Sequence, residues 1–409
     1  MMKLAVIFES SPFDRKGLFN AVHNRVKHLV ATGECVIDVY CVHSRDNALT
    51  RRLRHTPSVP SVETVTLDGV EYRMMWYRFS ILDHVLLEKL HVRPWLFRRF
   101  MSAHVNVLKG YDAVIAHSFT GALFAYKAHE LYGVPYYVTW HGSDVHTHPW
   151  RVPVILEDTK TVMDSARGNF FVSKALLAAS DKITVQARKE VLYNGVSEDF
   201  VEFSPAEKAA VRDRYGLAPE DKVVAFVGNL VPVKNVMVLP ELFARIASEF
   251  SGSLKFWIVG DGKLRNQLEA SCLSLPCEGA PSRHCEERSD VAIRFFGNQP
   301  SSVMPEIMNC IDVLVIPSLN EGLPLVCAEA LRCGANVVGS DVGGIAEVIG
   351  TENVAPLGDG FVDTLAGKAL SYLAARSGQT PAALSSQSLS EDFSWSRTAA
   401  RELELITSD

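Results

Sequence analysis

Short apolar runs rich in Val, Ile and Phe alternate along the chain with longer stretches whose apolar residues recur at helical spacing. This is the pattern of a parallel sheet covered on both faces. KLAVIF (3–8), CVIDVY (35–40), YDAVIAHS (111–118), PYYVTW (135–140) and FFVS near 170 read as strands. LFNAVHNRVKHLVATG, stopping at a glycine, and a segment from about Thr120 to Leu131 read as helices between them. VLYNGV (191–196) reads as an exit, and after a polar helix, SPAEKAAVRDRYG, the series restarts. KVVAFVG (222–228), a helix from about Asn235 to Phe250, KFWIVG (255–260), RFFG (294–297), DVLVIPS (312–318) and NVVGSD (336–341) follow. The last helix, about Ser394 to Leu405, has no strand after it. The prediction is an α/β chain of two doubly wound Rossmann-like domains, 1–195 and 196–391, with a ligand between the carboxyl ends of their strands. The segment 392–409 is expected to pack back on the first domain.

A length of 409 residues suits two such domains. With 47% hydrophobic and 22% charged residues the chain is globular rather than disordered. A formal charge of -6 gives no overall pull toward nucleic acid, which leaves small molecules and surfaces as partners. MMKLAVIFESS enters a strand at once, without the features of a secretory signal, and no apolar run approaches a membrane span. The eight cysteines lie mostly in apolar strand or helix contexts, so reduced thiols and a cytoplasmic location are expected. Cys272, Cys277, His284 and Cys285 lack the short paired spacing of a structural zinc site, and no metal is expected. Residues 274–290 interrupt the rhythm and are expected to form a surface-loop insertion. Within it, APSRHCEERSDVAI resembles the peptide encoded by a bacterial palindromic repeat read in frame.

Candidate chemistry gathers in the second half. VGNLVPVKNV, IVGDGK and SDVGGIAEV are strand-to-helix turns whose glycines let backbone come close and whose helix starts offer free N–H groups. NEGLPLVCAEAL (320–331) is more specific, because two acids flank a helix that Pro324 opens and Gly334 closes. Glu321 precedes the helix, whereas the Glu329 side chain leans back toward its first turns. Two carboxylates beside an anion site suit hydroxyl pairs of a sugar or ribose, with Lys234 as the offsetting cation. The plainer alternative is a solvated loop acid and an exposed helix residue.

These residues and others along the chain resemble the retaining glycosyltransferases of the GT-B fold, in the large family 4. The matching pieces are HGSD (141–144), FVS and its helix, YNGV (193–196), VGNLVPVKN (227–235), IVGDG (258–262), FFGN (295–298), DVLVIPSLNEGLPLVCAEAL and GSDVGGIAEVI. The resemblance implies two Rossmann-like domains facing each other across a cleft. It also implies transfer of a hexose or N-acetylhexosamine, with retention, from a nucleotide-diphosphate sugar to a glycan or lipid-linked acceptor. The nucleotide sugar is a co-substrate, and no cofactor or divalent metal is implied. Glu321 and His141 correspond to catalytic positions that meet the transferred sugar, and Glu329 to the ribose contact. Lys234 corresponds to the diphosphate lysine, and Gly322, Leu323, Leu325 and Val326 to the loop and amides that receive phosphate. Gly297, Asn298 and Gln299 correspond to the base-binding edge, Gly17 to a glycine loop near the phosphate, and Asp144 to the acceptor side. His141, read alone, equally suits a strand-end backbone cap.

The chain departs from the pattern in three places. Asn229 stands in the donor site where an arginine is common, Lys16 stands beside Gly17 in place of a second glycine, and Ser197 follows YNGV where an aspartate is common. Two rival readings accompany the transferase: a GT-B sugar-nucleotide epimerase and a degenerate nucleotide-sugar binding protein. The stretch Lys89 to Lys109 carries five Lys or Arg and no acid, interleaved with Trp95, Phe97 and Phe100. It suits either an anionic membrane surface, which would make the protein peripheral on the inner face of the cell membrane, or a solvated helix with a buried apolar face.

Overall fold

A computed structural model of the chain describes residues 1–13, 17–45, 61–78, 80–273, 291–374 and 393–408. Lys16, the expected insertion at 274–290, and with it Cys277, His284 and Cys285, lie outside the described residues. The chain divides into two units, Met1–Gly195 with Ser394–Asp409, and Val196–Phe393.

The first unit is built on β1 (Met2–Glu9), β2 (Cys35–Ser44), β3 (Thr64–Leu67), β4 (Val70–Tyr77), β5 (Ala113–His117), β6 (Tyr136–Trp140), β7 (Gly168–Phe171) and β8 (Lys189–Val191). They pair in the order β3-β4-β2-β1-β5-β6-β7-β8. All pairings are parallel except β3 with β4. Leu4 to Phe8 are fully buried in succession, which explains why this strand reads as an unbroken apolar run: helices cover both faces. The β3–β4 hairpin is absent from the sequence expectation. Its turn is Asp68–Gly69, both at positive φ, a strong two-residue hairpin signal that a search for long parallel runs passes over.

The helix Trp395–Thr407 belongs to this unit. Ala399, Leu403, Leu405 and Ile406 join Leu4, Val6, Val22 and Val26 in one core, and Thr398 Oγ1 donates to the Tyr193 carbonyl at 2.8 Å. Gly195 permits the return: a Cβ there would lie 2.2 Å from the backbone nitrogen of Trp395. The same junction buries a charge pair. Arg25 and Glu402 are fully buried with 3.5 Å between Nη1 and Oε1, and the guanidinium also donates to Thr139 Oγ1 and Asn194 Oδ1 at 2.8 and 3.1 Å. Burial lowers the Arg25 pKa and raises that of Glu402, each opposed by the partner's charge.

The second unit carries β9 (Lys222–Val227), β10 (Leu254–Val259), β11 (Val291–Gly297), β12 (Val313–Ile316), β13 (Asn336–Ser340) and β14 (Val354–Ala355), ordered β11-β10-β9-β12-β13-β14 and parallel throughout. The strand order reverses between β9 and β12, as it does between β1 and β5 in the first unit. Such reversals open a crevice at the strands' carboxyl ends, where open α/β sheets bind ligands. The helix after β9 begins later than its periodicity suggests. Two 3₁₀ turns, Pro232–Lys234 and Val236–Val238, precede the helix Leu239–Glu249. Asn235 at φ 52 breaks the helical path, and Pro240, without an N–H, fits only the first turn.

Candidate functional site

The loops leaving β9 and β12 meet at the second unit's reversal. Lys234 Nζ lies 2.5 Å from Glu321 Oε1, and Ser318 Oγ donates to the same oxygen at 2.7 Å. The Lys234 and Glu321 side chains are 25% and 11% exposed, so the pair is partly desolvated yet open on one side. The sequence reading gives the lysine to phosphate and the acid to sugar, with the lysine as the cation that offsets the acids. The structure joins them, because opposite charges on neighbouring loops attract strongly once water is thinned. Glu321 is left with Oε2, which has no partner among the described residues.

The helix after Glu321 runs Leu325–Arg332, with Pro324 just outside it at ψ 95 rather than in its first turn. Backbone N–H groups of Gly322, Leu323, Leu325 and Val326 have no acceptor among the described residues. Open amides at a helix start, beside a lysine, make a site for an anion. Glu329 lies one turn further along with no hydrogen-bond partner among the described residues. It keeps some surface at solvent, yet protein atoms crowd its carboxyl densely enough that burial pushes its pKa up to about 7. Cys327, on the buried side, has its thiol raised by burial first and by Glu321 second.

Glycines let these loops touch. Gly343 has φ 54, and a Cβ on it would lie 1.8 Å from the Glu321 carbonyl oxygen, while the Gly344 N–H donates to the Gly322 carbonyl at 3.1 Å. Gly260 likewise rests against the Gly228 carbonyl and donates to the Gly297 carbonyl at 2.9 Å. The turns after β9, β10 and β11 are therefore stacked, and Asn229 and Asn298 are exposed beside them. Gln299 folds back, its amide donating to the Phe296 carbonyl at 2.7 Å.

In the first unit, His141 leaves β6 and Gly142 turns the chain at φ 143 into the short helix Ser143–His146. Asp144 is buried, and its carboxylate accepts from the N–H groups of Gly142 at 2.8 Å and His141 at 3.2 Å. These bonds hold the turn that presents His141. Gly17 is exposed at the start of the helix Gly17–Ala31, with open space around it. His117, which the sequence reading passes over, ends β5 and places Nδ1 3.1 Å from His141 Nε2. The signal was available: a histidine closing an apolar strand at the first unit's reversal. Burial and then the Arg25 charge pull the His141 pKa down to about 3, and burial lowers that of His117 well below its usual value.

The basic stretch forms the helix Trp95–His104, preceded by the helix Ile81–Glu88. Phe97 and Phe100 pack against Tyr77 and Phe124. Leu82, Leu90 and Trp95 are 66%, 61% and 60% exposed. Arg99 lies over the Trp95 ring, and Arg93 is held by Asp158 at 2.7 Å. Among the described residues no helix is long and apolar enough to cross a membrane.

Both units match known families. A model described as glycosyl transferase 4-like domain covers residues 17–195, and one described as glycosyl transferases group 1 covers 221–374. These two glycosyltransferase domains in succession on two Rossmann-like sheets support a GT-B glycosyltransferase. A Bacillus subtilis (strain 168) protein named for teichuronic acid biosynthesis, TuaC, is 26% identical over 53% of this chain and 49% of its own. The D-inositol 3-phosphate glycosyltransferase of Rhodococcus jostii (strain RHA1) is 26% identical over 72% of this chain and 66% of its own. The match thus spans about half to two-thirds of the length of these relatives. Anabaena HepE, solved with UDP and glucose, is similar in fold: TM-score 0.70, 16% identity, 100% of both chains.

Proposed function

We propose that the chain transfers a sugar, a hexose or N-acetylhexosamine, from a nucleotide-diphosphate donor to an acceptor hydroxyl with retention, as a family 4 enzyme in bacterial surface polysaccharide or glycolipid assembly. The observation that carries this reading is the Lys234–Glu321 pair beside the open amides of the helix Leu325–Arg332. Lys234 and those amides hold the diphosphate. Glu321 Oε2 accepts from the transferred sugar, Glu329 accepts from the ribose diol, and the edge from Gly297 to Gln299 receives the base. Surface-polysaccharide assembly is supported by the TuaC relative, and the likeness to HepE makes a uridine diphosphate sugar the first donor to try.

The bond from the anomeric carbon to the diphosphate oxygen breaks as the acceptor oxygen bonds on the same face. The acceptor's proton passes to the departing phosphate. Charge developing on that phosphate meets Lys234 and the helix amides, which supply the electrostatic stabilisation without a divalent metal. A thermal-shift screen of nucleotide sugars followed by turnover tests the reading, since a bound donor raises the midpoint by mass action. Turnover that survives Glu321→Gln would exclude this site, and interconversion of nucleotide sugars without an acceptor would make the protein an epimerase.

The acceptor is read as lipid-linked, on the strength of exposed Leu82, Leu90 and Trp95 beside Lys89, Arg98 and Arg99. Apolar side chains flanked by cations suit the interface of an anionic bilayer. Flotation with anionic vesicles is expected for the intact chain and its loss for Leu82→Ser/Trp95→Ser; no flotation of the intact chain would remove the membrane from the reading.

A further inference from the structure

His117 is buried at the strand-order reversal of the first unit, and it is held in place at some cost. The residue after it, Ser118, has φ 60, a conformation that side chains other than glycine adopt only when the surrounding structure imposes it. That turn leads into the helix Ser118–Tyr132, which is pressed onto β1 through Gly121, where a Cβ would lie 2.4 Å from the Ile7 carbonyl oxygen. The imidazole is thereby fixed with Nδ1 toward His141 Nε2 at 3.1 Å and Nε2 buried without a partner.

Two imidazoles joined through one nitrogen each share one hydrogen, so one ring donates and the other accepts. The orphaned Nε2 of His117 decides which. If that atom carried the proton, a buried N–H would be left unpaired, whereas an unpaired nitrogen lone pair is the less costly orphan. Burial first, with the Arg25 charge adding to it, disfavours protonation of both rings.

We propose that His117 is a positioning residue that sets the tautomer of His141: Nδ1–H of His117 donates to Nε2 of His141, so that Nδ1–H of His141 is the donor offered to a ligand hydroxyl. The inference rests on the glycosyl-transfer reading for its purpose, but the tautomer itself does not. Among the described residues His141 Nδ1 has no protein partner, as expected of a group reserved for a ligand. A ring in the other tautomer would present a lone pair there, and a sugar hydroxyl would have to reverse its own hydrogen bond to bind.

Ring nitrogens of ¹⁵N-histidine-labelled protein, with His141 assigned by its loss in His141→Gln, read the tautomer directly. The expected result is a protonated Nδ1 and an unprotonated Nε2 on His141. His117→Asn keeps an amide donor at the δ position and should preserve both the tautomer and turnover within about threefold. His117→Gln, whose donor sits at the ε position, should change the tautomer and lower kcat roughly 10- to 100-fold, the usual size of outer-shell orientation effects, with donor KM little changed. Thermal melting of both variants controls for misfolding. A protonated Nε2 on His141 in the active protein, or Gln rescuing as well as Asn, would overturn the inference. A protein with the expected tautomer that neither binds nor turns over any nucleotide sugar would instead overturn the reading on which its purpose rests.

Discussion

The two units solve the same topological problem with opposite electrostatics. In the second unit the loops at the strand-order reversal set Lys234 against Glu321, with the Glu329 pKa raised by burial beside them. In the first unit the side chains gathered behind the reversal are driven toward neutrality, His117 and His141 by burial, while the full charges of Arg25 and Glu402 are sealed in the core. On the proposed function, the difference follows from the partner each surface would meet. A diphosphate needs countercharge at the surface, whereas a sugar hydroxyl needs an oriented neutral hydrogen bond that water does not compete for.

The sealed pair offers the largest test of this contrast. Arg25→Met leaves Glu402 buried without its cation and should cost about 3–5 kcal/mol by denaturant unfolding, while Arg25→Met/Glu402→Leu should regain most of it. A loss under about 1 kcal/mol in the single variant would show that the two groups are not coupled as drawn.

Lys234→Ala comes next, because it exposes any bound diphosphate to an uncompensated Glu321. Donor affinity measured by calorimetry should fall roughly 100-fold, about 3 kcal/mol. A change within a factor of three would place the anion elsewhere.

The remaining two predictions separate the units by pH. The Glu329 carboxyl has a folded pKa of about 7 against 4.5 ordinarily, so the folded state loses stability as pH rises from about 4.5 through 7. Glu329→Gln should therefore stabilise the protein by roughly 2–3 kcal/mol at pH 8 and by well under 1 kcal/mol at pH 5, while weakening donor binding. An equal gain at both pH values would mean the effect is not ionisation.

His141 carries the opposite sign. Its folded pKa of about 3 lies below the ordinary 6.5, so its contribution is intact above 6.5 and is lost as pH falls toward 3. His141→Gln should remove about 2 kcal/mol of the acid-side loss between pH 7 and pH 5. A His141 ring signal titrating near pH 6.5 in the intact protein would break the comparison between the units.

Much of the second unit was legible in the residues. NEGLPLVCAEAL marks its own helix start, and Gly260 and Gly343 mark close backbone approaches because no other residue tolerates those contacts. The late start of the helix Leu239–Glu249 was missed, since apolar spacing does not register Asn235 at positive φ. In the first unit less was legible. HGSD pointed to the turn that carries His141 and Asp144, whereas His117, although it closes an apolar strand, was passed over, and Arg25 carried no local signal of its own.

The sequence by itself determined the alternation of strands and helices, the two-unit division and the glycine turns, because these depend on neighbours within a few residues. Only the tertiary structure decided which charges meet. Lys234 and Glu321 are separated by 87 positions, His117 and His141 by 24, and Arg25 and Glu402 by 377. Whether such side chains stay charged, pair or fall neutral depends on the water excluded around them, and that is fixed when the sheets pack.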